Sequence, residues 1–267
     1  MNSVNTNRQA IFALQSLNLT NADLGSVQKR VSTGLRVADA RDDGGAFAVA
    51  SAVRSDIAGV TAVNEQLGGI KGVLQTTFAA LTQVTDTMRQ ARQVLTRLSD
   101  GAISADQRTQ YNAQYQSLAT QIEDFISDAN YNGTSLLTGV NIESIRNEAG
   151  DNFEIVAETA ADLQITNASY ATAADANAEL IGGFADVETA VSAALNKFGT
   201  SMQYVENQIT YNSKKNDALT DGLGALVDAD LAKESANLQA LQTRQQLGIQ
   251  TLSLANQGPQ VLLSLFR

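Results

Sequence analysis

The chain has 267 residues with 43% hydrophobic content, enough for one large or two small folded cores. It contains neither Cys nor His, which excludes disulfides, thiolate or imidazole metal sites and Cys or His nucleophiles. The formal charge of −10 belongs to the interior: Arg8, Lys29, Arg30 and Arg36 outnumber Asp23 near one end, acids and bases balance near the other, and no basic stripe for nucleic acid exists. A single Pro, no Trp and 5% aromatics, among abundant Ala, Leu, Gln and Thr, favour long helices over sheets.

The first ten residues are polar, include Arg8 and hold no apolar run of signal-peptide length, so the expectation is a cytoplasmic chain or one exported without such a signal. From about residue 5 to 35, Ala10, Leu17, Leu24 and Val31 recur every seven positions with Leu14, Val27 and Leu35 beside them, an amphipathic helical stripe. The opposite face is Asn, Gln, Ser and Thr, and such a helix has little to fold against alone. The pattern ends at Gly34.

A short non-helical stretch containing Asp42, Asp43, Gly44 and Gly45 follows. The longest periodic signal then begins: Val49, Val53, Asp56, Val60, Val63, Leu67, Ile70, Leu74, Thr77, Leu81, Val84, Met88, Ala91, Leu95 and Leu98 alternate steps of four and three. This is the heptad pattern of a coiled-coil seam. Gly59, Gly68, Gly69 and Gly72 weaken it, each by up to about 1 kcal/mol relative to Ala, and a bend near Gly68 is expected. Asp100-Gly101 ends the helix, and Ser104 with Gln107 forms a capping-box pattern for the next. Tyr111, Tyr115, Leu118, Ile122 and Phe125 keep the rhythm until the turn dipeptide Asn132-Gly133.

Between about 140 and 170 the period falls to two, in Phe153, Ile155 and Ala157 and again in Leu163 and Ile165, which predicts a hairpin or a three-stranded sheet. Helical spacing resumes from Phe184 through Val187, Val191, Leu195, Phe198, Met202, Val205 and Ile209, and continues more weakly to Leu226. The last segment places Leu231, Leu238, Leu241, Leu252, Ala255, Leu262 and Phe266 on one stripe, with Pro259 near the end hostile to helix. No segment is read as apolar enough for membrane insertion. The fold class expected is mainly α: an elongated antiparallel helical bundle or coiled coil with a small β-hairpin sheet, and N- and C-terminal helices paired as an inner coiled coil.

Particular strings add a resemblance. Asn5-Thr6-Asn7, Arg30-Val31-Ser32-Thr33-Gly34-Leu35-Arg36 with Asp42-Asp43, Asn132-Gly133-Thr134-Ser135-Leu136-Leu137, Asp228-Ala229-Asp230-Leu231-Ala232, Gln245-Gln246-Leu247-Gly248 and Val261-Leu262-Leu263-Ser264-Leu265 occur in order. Together they resemble bacterial flagellins, of the short alphaproteobacterial type without outer variable domains. The resemblance implies a structural subunit of the flagellar filament, exported unfolded, polymerised outside the cell into a propeller for swimming, and neither an enzyme nor in need of a cofactor.

It also implies an organisation: an inner terminal-helix domain from 1–36 and 228–267, a spoke at 37–45, and an outer bundle over 46–227 with the sheet at about 140–170. Leu14, Leu17, Leu24, Val27, Val31, Leu231, Leu238, Leu241, Leu252 and Leu262 would form the inner polymerisation layer. Arg36, Asp42, Asp43, Gly44 and Gly45 would form the joint, and Val60, Val63, Leu67, Ile70, Leu74, Leu81, Val84, Met88 and Leu95 the bundle seam. Gln90, Arg92 and Val94 stand where enteric relatives engage an innate immune receptor, with Gln90 and Val94 replacing their arginine and leucine.

Expected partners are copies of the chain, alone or mixed with other flagellins, together with an export chaperone, a filament cap and hook–filament junction proteins. Neither nucleic acid nor a membrane is an expected partner. A hook–filament junction protein shares these ends, and a secreted host-interacting effector shares the export logic; long filaments in the microscope separate the first from a flagellin and liposome leakage the second. The acid pairs Asp42-Asp43 and Asp228/Asp230 are read as helix-start residues favoured by the dipole, since no other oxygen ligands surround them in sequence.

Overall fold

The computed structural model describes residues 6–265, with side chains described as far as residue 257; Asn5, Phe266 and the side chain of Leu262 lie outside them. Seven helices and two short strands are present among these residues: α1 Arg8–Thr33, α2 Gly44–Leu98, α3 Ala105–Ser127, β1 Ile142–Ile145, β2 Asn152–Ile155, α4 Ala160–Leu163, α5 Ala173–Ile181, α6 Gly183–Val227 and α7 Leu231–Leu265. They divide into two compact units, one of residues 1–55 with 218–267 and one of residues 56–217.

Helix ends follow local chemistry. Asn7 caps α1 by accepting the Ala10 N–H at 3.1 Å, and Gly34 closes it in the left-handed region (φ 71°), where a side chain would be strained, donating to the Arg30 carbonyl at 2.8 Å. Ser104 and Gln107 form the expected capping box at α3. Asp43 accepts the Ala46 N–H at 3.0 Å and so caps α2, which places Gly44 and Gly45 in its first turn rather than in the loop where the sequence reading put them. The α2 helix then runs unbroken past Gly68.

In the 56–217 unit the residues expected in the seam lie on an apolar face wider than a coiled coil requires. Val60, Leu67, Leu74, Leu81, Val84 and Leu95 are fully buried, Val63 and Met88 nearly so, and Ile70 is half-buried. Neighbouring residues are buried too, in the pairs Val73/Leu74, Thr87/Met88 and Val94/Leu95. Consecutive burial needs an apolar face of 100° or more, the signature of a helix packed against several partners. Those partners include Tyr115, Leu118 and Ile122 of α3 and Phe184, Val191, Phe198 and Val205 of α6. Each fully buried Leu or Phe contributes about 1.5–3 kcal/mol relative to exposure. The buried hydroxyl of Thr77 is satisfied by the Val73 carbonyl at 2.9 Å.

The period-two region folds as an antiparallel hairpin with Ile142 opposite Ile155 and Ile145 opposite Asn152. No third strand forms among the described residues: Leu163 ends α4 and Ile165 follows it outside any helix or strand, both inserted into the core with 1% and 2% exposure. Their alternation reflects two pegs into an apolar core rather than a pleat. The α5 helix, with a Thr172/Asp175 capping box, is an element the periodicity did not reveal.

The other unit contains α1 paired with α7 and a small cluster of Val37, Ala50 and Val227 covered by Leu35, Phe47 and Leu223. Val49, the predicted first position of the seam, is 55% exposed. One 18-residue window of α2 reaches a mean hydropathy of 1.3 with at most two charged residues, so by length and composition a stretch apolar enough to cross a membrane does exist, against the sequence expectation. Small aliphatic residues such as Ala46, Ala48, Val49 and Ala52 raise hydropathy without adding the bulk that draws attention in a seam. Helix α7 continues past Pro259.

Candidate functional site

The terminal helices meet in antiparallel register. The Asn7 amide donates to the Ala255 carbonyl at 2.7 Å, Gln245 donates to Asn21 at 2.8 Å, and Arg30 lies 3.5 Å from Glu234, so contacts run from one end of α1 to the other. Leu17 packs on Gly248, where a Cβ would stand 3.2 Å from its Cδ1; beside this contact lies a cavity of about 260 Å³ lined by Ala13, Thr20, Arg244 and Thr251 among others. At the loop end the chains are tied through their backbones: Ala229 donates to Gly34 at 2.9 Å and Arg36 to Val227 at 2.7 Å.

Burial along this pair is incomplete. Among the expected inner-layer residues Leu24 and Val27 are buried, while Leu17, Val31, Leu238, Leu241 and Leu252 are half-buried. Leu14 and Leu231 are 47% and 50% exposed. A second set of large apolar side chains is also in solvent: Ile11, Phe12 and Leu19 on α1, and Leu247, Ile249 and Leu254 on α7. Phe12 and Leu19 are seven apart, as are Leu247 and Leu254, so each helix carries a second stripe that the first, stronger one concealed. Both members of the pair thus expose large apolar side chains, a feature that contiguous interaction surfaces share.

The loop from Arg36 into α2 is held by charge. Lys29 reaches back to Asp39 at 2.9 Å and to Asp42 at 2.7 Å. Asp42 also accepts the Ala38 N–H, and Asp39 accepts the Arg41 N–H and guanidinium. Hydrogen bonds from Lys29 hold both carboxyls below the ordinary range, helped at Asp39 by Arg41 and at Asp42 by the Ala38 N–H; the lysine amine is raised in turn, chiefly by Asp42 and then Asp39. Of the residues expected at this joint, Arg36 bonds Val227 and Leu226, Asp42 forms the ion pair, and Asp43 with Gly44 and Gly45 starts α2. Sequence reasoning missed Asp39 and Lys29; the Asp39/Asp42 spacing was a visible signal for a loop clamp, but its cation is ten residues or more away.

On α2, Gln90 is exposed, Arg92 is paired with Glu188 at 3.0 Å, and Val94 is 2% exposed and so faces the core. Among the described residues no group of three or more carboxylates can hold a metal ion.

Comparison with known proteins gives concordant matches. The model of the bacterial flagellin N-terminal helical region matches residues 4–142, and that of the C-terminal helical region matches residues 183–266. The chain is 38% identical to flagellin FljK of Caulobacter vibrioides, with 100% of this chain and 99% of the relative aligned, and 33% identical to a flagellin of Brucella melitensis, with 100% of each aligned. A solved structure described as a flagellar hook-associated protein from Vibrio parahaemolyticus aligns with a TM-score of 0.61 over 70% of this chain and 100% of that one. At 14% identity that likeness is one of fold alone.

Proposed function

The chain belongs to the bacterial flagellin family, and on that premise we propose that α1 and α7 form its polymerisation surface, completed only by neighbouring copies. As a flagellin it is a secreted structural subunit of the flagellar filament, extracellular and not an enzyme. The observation that carries the proposal is the set of large apolar side chains exposed on both helices, Phe12 and Leu19 on one and Leu247 and Leu254 on the other. In water these faces cost free energy; between copies they bury area at about 25 cal/mol per Å².

Within this reading Leu14, Leu17, Leu24, Val27, Val31, Leu231, Leu238, Leu241, Leu252 and Leu262 pack the inner layer, and residues 37–45 join it to the bundle. At the place where enteric relatives engage an innate immune receptor, Gln90 is exposed, Arg92 is paired with Glu188 and Val94 is buried, which speaks against the same recognition here. A terminal pair with so little core of its own also suits passage through an export channel as an unfolded chain, delivered by a chaperone and placed under a filament cap beyond the junction proteins. Deleting residues 1–36 or 232–267 tests the proposal. A folded, soluble bundle that forms no filaments is expected, and filaments from either truncated chain would overturn it.

A further inference from the structure

The 56–217 unit carries a groove that its own core leaves open. It lies between α2, the 131–134 turn and β1, has a volume of about 590 Å³, and is walled by Gly69, Ile70, Val73, Tyr131, Ile142 and Glu143 among others. Two glycines of α2, three residues apart, meet it differently. At Gly72 the ring of Tyr131 lies against the backbone, with Cζ 2.8 Å and both Cε atoms 3.1 Å from where a Cβ would be. At Gly69 nothing lies within 4 Å. The chain thus shows an aromatic ring seated on one glycine and an equivalent, apolar-walled place left vacant on the other.

The rim is acidic. Glu143 stands directly across the hairpin from Glu154, a like-charge pair that weakens a sheet. Asn141 donates to Glu154 at 2.6 Å, whereas the Glu143 carboxylate takes part in no side-chain hydrogen bond or ion pair among the described residues. The complement to this groove is on α6 of the same unit. Tyr211 is 59% exposed, and Lys214, one turn on and on the same helix side, is exposed and takes part in none of the ion pairs among the described residues.

A helical polymer of identical chains needs two different and complementary surfaces on each copy, because only a head-to-tail contact extends without closing. We propose that Tyr211 of one copy enters the groove of the next, its ring over Gly69 as that of Tyr131 lies over Gly72, with Lys214 paired to Glu143. The inference rests on the filament-subunit reading and adds to it the residues of one contact. It joins an aromatic knob to a vacant glycine seat and a lone cation to a lone carboxylate.

The absence of native cysteine makes the test direct. Filaments of the full-length Gly69→Cys/Tyr211→Cys variant, treated with a short bismaleimide whose spacer takes the place of the tyrosine ring, should give a ladder of cross-linked dimers and higher species under denaturing electrophoresis, since the two Cβ positions are too far apart for a disulfide. Each single variant, and the double variant kept monomeric, should give none. Filaments without the ladder overturn the contact while leaving the filament reading intact; absence of filaments from the unmodified chain counts instead against that reading. Should the cysteine pair itself block assembly, charge reversal decides. Lys214→Glu should raise the critical concentration for polymerisation about tenfold or more, and Glu143→Lys in the same chain should restore it. Failure of that rescue overturns the proposal.

Discussion

The 56–217 unit and the α1–α7 pair are built from the same kind of sequence, amphipathic helix at near-heptad spacing, yet they end in opposite states. In the first, Leu67, Leu74, Leu81 and Leu95 have no contact with solvent. In the second, Leu14 is 47% and Phe12 69% exposed. The difference lies in how many partners one chain supplies. The seam of α2 has α3, α6 and the hairpin around it. Among the described residues helix α1 packs mainly on α7, which covers one stripe in part and leaves the other bare. Periodicity reports that a face will be buried; it does not report by whom.

This contrast can be broken from either side. The largest effect on the isolated chain is expected from Leu81→Ala, which should cost about 2–5 kcal/mol in urea unfolding of the bundle, since the residue is fully enclosed. Ser104→Ala removes a reciprocal cap from α3 and should cost about 1 kcal/mol in the same measurement. Smaller again is the clamp on the 37–43 loop, which is best sharpened by pH. The carboxyls of Asp39 and Asp42 titrate below their unfolded values, so their contribution is complete above the ordinary carboxylate range near pH 4 and is lost as pH falls through the depressed values. Lys29 is raised, so its contribution holds below about pH 10.4 and is lost as pH rises through the raised value. Protection of the 37–43 amides relative to their intrinsic exchange rates should therefore fall selectively in acid, and Lys29→Met should remove it at neutral pH with the bundle still protected. Unchanged exchange in that variant would show that backbone bonds alone hold the loop.

Much of this was legible from residues. Gly34 as a helix stop, Ser104/Gln107 as a cap and Asn132-Gly133 as a turn (φ 51° and 78°) depend on local chemistry, and local chemistry is written in adjacent letters. What escaped depends on distance along the chain. Leu163 and Ile165 alternate as a strand would, but the core they enter, not their spacing, decides their backbone. Asp43 draws Gly44 and Gly45 into a helix that their own propensities oppose. Lys29 meets Asp39 and Asp42 only after the chain has turned at Gly34. The second apolar stripes were present as repeats of seven, but a search for the dominant stripe passes over them.

The claim that the terminal pair is folded for its neighbours rather than for itself is tested most directly by Phe12→Ser with Leu254→Ser. Both side chains are about 70% exposed, so the double variant should unfold within about 0.5 kcal/mol of the unmodified chain while losing filament formation in the electron microscope. Filaments of normal length from the double variant, or a large loss of stability in the monomer, would contradict it.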